Sequence, residues 1–150
     1  ISFEKSFSKS ISFDIKPKFG TEIIRVNAPY QARNTGLGLG VELKPSDEFK
    51  LNFRMDQSKS IKFENNEVVY SDLIARARFE YQATTFLNFR LVTQYHRYYN
   101  TFDIQPLISY QPGPFSIFYL GTSRSYDTSL SGWQESYGQI YLKVQKLFSF

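Results

Sequence analysis

The sequence predicts an all-β protein, an antiparallel up-and-down transmembrane β-barrel of which residues 1–150 form the C-terminal strands, roughly nine of them. Three observations predict it. Apolar and polar residues alternate with period two along most segments, as a strand with one apolar and one wet face requires. Turn-forming residues and longer polar stretches take turns between those segments. Aromatics make up 18% of the chain, with 11 Tyr and 15 Phe, yet the chain is hydrophilic on average. No stretch approaches the roughly 20 apolar residues of a spanning helix. A membrane protein can average hydrophilic when each spanning strand is half polar, as around a wet lumen.

In chain order, Ile1, Phe3 and Phe7 alternate with Ser2, Glu4 and Ser6, so the chain is expected to begin inside a strand of a longer protein. Ile11, Phe13, Ile15 and Phe19 oppose Ser12, Asp14, Lys16 and Lys18. Gly36, Gly38 and Gly40 alternate with Leu37, Leu39 and Val41. Phe49, Leu51, Phe53 and Met55 oppose Lys50, Asn52, Arg54 and Asp56. Over 73–83, Leu73, Ala75, Ala77, Phe79 and Tyr81 oppose Ile74, Arg76, Arg78, Glu80 and Gln82. Over 86–99, Leu87, Phe89, Leu91, Thr93 and Tyr95 oppose Asn88, Arg90, Val92, Gln94 and His96.

Tight connections at 8–10, 45–48, 83–85 and 112–114 carry Ser, Pro, Asp, Thr and Gly, residues with turn chemistry. Longer polar connections are expected at 27–35, 64–70, 100–103 and 127–137. Short turns at one end and long loops at the other are the asymmetry of an outer-membrane barrel, with the short turns periplasmic.

The two faces imply two roles. Asp14, Lys16, Lys18, Glu42, Lys50, Arg54, Asp56, Arg76, Arg78, Glu80 and Arg90 are expected to face the lumen. In a wide barrel they would set selectivity, and in a narrow one they would pair and close it; mixed signs favour pairing. The opposite faces form the lipid belt, with Tyr81, Tyr95, Tyr99, Tyr110, Phe148 and Phe150 as aromatic girdles.

In the last segment, 139–150, the even positions are Ile140, Leu142, Val144, Lys146, Phe148 and Phe150. The segment resembles the C-terminal signal read by the insertion machinery of outer-membrane barrels. Leu142, Val144, Phe148 and Phe150 are the assembly-signal residues that this resemblance implies. Lys146 departs from it, at a position usually apolar, near enough to the rim for its ammonium to snorkel.

The stretch 105–121, Gln-Pro-Leu-Ile-Ser-Tyr-Gln-Pro-Gly-Pro-Phe-Ser-Ile-Phe-Tyr-Leu-Gly, together with 141–148, Tyr-Leu-Lys-Val-Gln-Lys-Leu-Phe, is similar to the C-terminal barrel of one Bacteroidetes-type outer-membrane family. Members typically carry an N-terminal carbohydrate-binding-like β-sandwich before a barrel of unassigned function. The resemblance covers residues 86–150 and implies a link to carbohydrate handling. It brings no catalytic residues.

Other chemistry is thin. His96 is the only histidine and cysteine is absent, which removes thiolate sites and any site needing two imidazoles. A Ser-His-Asp hydrolase would use His96 with Asp103, but no serine is singled out, and a solvated lumen histidine is the simpler account. The Gly36, Gly38, Gly40 spacing lacks the strand-turn-helix context of a dinucleotide loop. A strand with glycine on its lumen face explains it, where close backbone packing is expected. The net charge is +4, but the basic residues are scattered, so nucleic acid is not an expected partner. Arg33, Arg97 and Arg124 near the outer rim could meet lipopolysaccharide phosphates. Trp133 either stacks on a sugar or anchors at the rim.

The expected protein is a non-enzymatic anchor, assembly component or channel in the outer membrane of a Gram-negative bacterium, with neither metal nor cofactor. Its expected partners are outer-membrane lipid, lipopolysaccharide, the barrel assembly machinery and other outer-membrane or periplasmic subunits. The rivals are an outer-membrane barrel hydrolase using His96 and a soluble β-sandwich binding module.

Overall fold

The computed structural model describes residues 3–8, 10–25, 29–129 and 132–146. Among these residues one antiparallel sheet holds nine strands in chain order. They are β1 (Phe3–Ser8), β2 (Ile11–Ile24), β3 (Tyr30–Leu43), β4 (Phe49–Lys62), β5 (Val68–Gln82), β6 (Leu87–His96), β7 (Thr101–Gly113), β8 (Ser116–Asp127) and β9 (Gln134–Lys146). Each strand pairs with its chain neighbours, so every connection is a hairpin. From β2 onward the strands run 10 to 15 residues, well beyond the roughly five or six of an ordinary sheet. The sheet is open: among the described residues β1 pairs only with β2 and β9 only with β8.

Three prolines sit inside strands, at points where the ladder can spare a donor; Pro112 of β7 lies in the register irregularity between Tyr110 and Gly113. Pro17 of β2 faces Leu37 on one side, beyond the last described pairing of β1, Phe3 with Ile15. Pro106 of β7 faces Leu91, while pairing with β8 is interrupted between Ile104 and Leu107. A residue without an N–H fits only at such edges and gaps.

Burial is inverted relative to a sheet that packs its apolar face on a core. Ala32 (0% exposed), Ser60 (1%), Asp72 (4%) and Val92 (8%) all belong to the polar face. The Phe- and Leu-rich face is open, with Phe19 81% and Leu142 71% exposed. No helix and no second sheet covers it among the described residues. A two-layered sandwich, the soluble rival, is thus not what these residues form.

The strands reach further into the connections than the sequence suggested. Residues 30–35 pair with Phe19 to Ile24 as the start of β3, rather than lying in a loop. β5, β7 and β9 begin at Val68, Thr101 and Gln134, inside three of the other expected loops. Of the connections described throughout, 44–48, 83–86 and 114–115 lie at one end and 63–67 and 97–100 at the other, and their lengths overlap. The expected length asymmetry is therefore slight. Polar residues there find cross-strand partners, and a ladder continues wherever partners exist. Asn66 and Asn100 close two hairpins with φ of 56° and 51°, a left-handed conformation that Asn tolerates. Tyr99 is a second correction: it lies in the 97–100 turn, its ring against His96, and not in an apolar-face girdle.

Candidate functional site on the polar face

Gly36, Gly38 and Gly40 form a bare strip on the polar face of β3, between the longer side chains of β2 and β4. A side chain on Gly40 would collide with the Asp14 carboxylate, and a Cβ on Gly36 would sit 2.7 Å from the Gln57 carbonyl oxygen. The strip lets side chains from non-adjacent strands meet over it. Lys18 Nζ of β2 reaches Asp56 Oδ1 of β4 at 3.0 Å. These glycines are mid-strand and serve close approach, not phosphate binding.

The rest of the expected lumen set divides in two. Lys16 pairs with Asp14 at 3.0 Å, Lys50 with Glu42 at 3.2 Å, and Arg78 with Glu80. Each such pair is part-exposed and contributes about 0–1 kcal/mol. Arg54, Arg76 and Arg90 make no ion pair with a described carboxylate. Arg54 and Arg76 even stand opposite each other in register, an arrangement that costs rather than stabilises.

Near the far end of the sheet, Asp72 of β5 organises a denser cluster. Its Oδ2 accepts from Tyr70 Oη at 2.9 Å and contacts His96 Nε2 of β6 at 2.7 Å. Its Oδ1 accepts from the backbone N–H of Leu73 at 2.8 Å and of Tyr98 at 3.1 Å. Four partners satisfy a carboxylate that is 4% exposed, which makes its burial tolerable. The Tyr70 and Tyr98 rings lie 5.3 Å apart, and Tyr99 packs edge-on to His96 at 4.6 Å. One carboxylate thereby ties β5 to β6 and to the turn that follows.

The trio imagined around His96 is not assembled. Asp103 is in β7, opposite Gln94 and Ser125, and no serine is hydrogen-bonded to His96 among the described residues. Asp72 was missed because it fell at the edge of an expected loop. The signal was present: Asp72 and His96 occupy the polar face at the same end of adjacent strands. A second network, Ser60 Oγ to Glu22 Oε1 at 2.6 Å with Asn34 Nδ2 at 3.4 Å from Glu22 Oε2, links β2, β3 and β4 and was likewise not foreseen.

On the apolar face, Leu142 and Val144 of β9 pair with Leu120 and Phe118 of β8. Phe148 and Phe150 lie outside the described residues. Trp133 packs on Phe102 at 4.9 Å and Tyr126 at 6.0 Å, favouring rim packing over a free sugar platform. Arg33 lies in β3 with its guanidinium 5.2 Å from the Phe63 ring centre, Arg97 is in the 97–100 turn, and Arg124 meets Glu135 at 3.6 Å. Among the described residues no group of three or more His, Cys, Asp or Glu is arranged to hold a metal. No family model, curated protein or solved structure matches the chain.

Proposed function

We propose that this chain is part of a transmembrane β-barrel in the outer membrane of a Gram-negative bacterium, acting as an anchor, assembly component or channel and not as an enzyme. One observation carries the reading: a single sheet turns its Phe, Leu and Ile side chains outward while its buried positions and the cross-strand ion pairs Lys18–Asp56 and Lys50–Glu42 sit on the polar side. In water such a face would be covered by another layer, since burial is worth about 25 cal/mol per Å² of apolar surface. Hydrocarbon tails serve that purpose equally well. The dimensions agree. The apolar face of β6 runs from Leu87 to Tyr95, nine residues, the length of a tilted membrane-spanning strand. Aromatic groups flank it at both ends, Tyr110 with Phe118 at one, Phe102 and Tyr126 with Trp133 at the other, as interfacial girdles would.

The polar face then lines the interior. Lys18–Asp56 and Lys50–Glu42 tie strands together there, a pairing that favours rigidity over conduction. Further strands joining the free edges of β1 and β9 would complete the barrel and remove the unpaired backbone that a bilayer does not tolerate. Cell fractionation tests the reading. The chain should stay in the outer-membrane fraction through a high-salt wash, leave it with detergent, and migrate faster unheated than boiled on a gel. Release into buffer by salt alone would sink the proposal.

A further inference from the structure

Two adjacent cross-strand rows on the polar face build a hollow at the β6–β9 end of the sheet. The first row reads Asn88, Ser109, Tyr119, Lys143, and the second reads Arg90, Leu107, Gly121, Tyr141. Each row has one small residue at an inner position, Ser109 in one and Gly121 in the other, with a longer side chain on either side. The result is a wide-open hollow of about 360 Å³ lined by residues from both rows, comparable in volume with the smaller small-molecule sites. Gly121 gives the Tyr141 ring its place: the ring lies over it, and a Cβ there would sit 2.5 Å from the ring.

The electrostatics of this hollow differ from the neighbouring ladder. Its lining holds two cations and no carboxylate. Arg90 makes no ion pair with a described carboxylate, because Glu80, opposite it in register, is taken by Arg78. Lys143 makes none with a described carboxylate and lies 5.9 Å from the centre of the Tyr119 ring. Unpaired cations beside a void favour an anion. Two tyrosine rings and a volume well above that of a lone oxyanion favour a ligand with a flat or cyclic body.

We propose that this hollow binds a ring-bearing organic phosphate, with the phosphate held between Arg90 and Lys143 and the ring against Tyr119 and Tyr141. The site follows from strand register and does not depend on what covers the apolar face.

Titration calorimetry on the full-length chain in neutral detergent tests it, with glucose 6-phosphate as probe and glucose and inorganic phosphate as comparisons. Glucose 6-phosphate should bind more tightly than either comparison. Arg90→Gln and Lys143→Gln should each weaken binding roughly tenfold or more, while Arg90→Lys should retain part of it. Gly121→Ala should weaken binding with no change of charge, by displacing Tyr141. Arg54→Gln, outside the hollow, should leave it unchanged. Three results would overturn the proposal: no binding, inorganic phosphate binding as tightly as glucose 6-phosphate, or Arg54→Gln weakening binding as much as Arg90→Gln.

Discussion

Asp72 is the residue on which the most local order converges. Removing its carboxylate leaves Tyr70, His96 and two backbone N–H groups short of a partner at a nearly closed site. Asp72→Ala should therefore cost about 2–4 kcal/mol. Asp47→Ala, at an exposed turn, should stay within about 0.5 kcal/mol. Denaturant unfolding in micelles, followed by the fluorescence of Trp133, would measure both. Equal, small effects would mean that the cluster is ornamental. The glycines divide similarly. Gly36→Ala drives a Cβ to 2.7 Å from a backbone oxygen that cannot step aside, whereas Gly20 has nothing within 4 Å of its virtual Cβ. Gly36→Ala should cost about 1–3 kcal/mol, and Gly20→Ala should be close to neutral in the same assay.

At the scale of the element, a strand here is a ribbon with two incompatible sides, and each side predicts its own response to charge. Ile108, Leu120 and Leu142 line up across β7, β8 and β9 on the apolar face. An arginine at Leu120 should destabilise the assembled protein in lipid by about 2–4 kcal/mol. Gln94→Arg, on the polar face of β6, should cost far less. A near-zero effect for Leu120→Arg in bilayers would argue that this side meets water. The last segment carries a further prediction, made from sequence: replacing Phe150 with Asn should lower the amount of heat-modifiable protein in the membrane, and unchanged assembly would count against an insertion signal there.

Strand identity and face were legible because period two is a local property of residues such as Lys50 to Asp56 and Leu73 to Gln82. The hairpin order followed from turn chemistry at Pro45 and Pro112. The strand ends were not legible, since Tyr30 to Thr35 read as a polar loop until Phe19 to Ile24 are known to lie beside them. Contacts that depend on register were also hidden. Lys18 meeting Asp56 over a bare strip, Asp72 meeting His96, and the hollow between Arg90 and Lys143 all require the alignment of specific rows. Single-strand patterns do not encode that alignment.

For the molecule as a whole, the open sheet and the inverted burial belong to one problem. An apolar face of this extent needs a cover, and two edges that are unpaired among the described residues need partners. A bilayer and a closed ring of strands answer both needs at once, and a second sheet would answer only the first. In the proposed barrel the polar side, with Arg90 and Lys143 unpaired among the described residues, would fall on an aqueous interior open to an anionic ligand.

Because the chain contains no cysteine, single cysteines can be placed freely along β7 and tagged with a nitroxide. The direct measurement is collision with oxygen, which concentrates in lipid, against collision with a water-soluble nickel chelate, for the protein in bilayers. Labels at Phe102, Ile104, Ile108 and Tyr110 should favour oxygen, while labels at Asp103, Gln105, Leu107 and Ser109 should be shielded from it, with a period of two. Nickel collisions as frequent at Ile104 and Ile108 as at Gln105 would contradict a lipid-facing sheet.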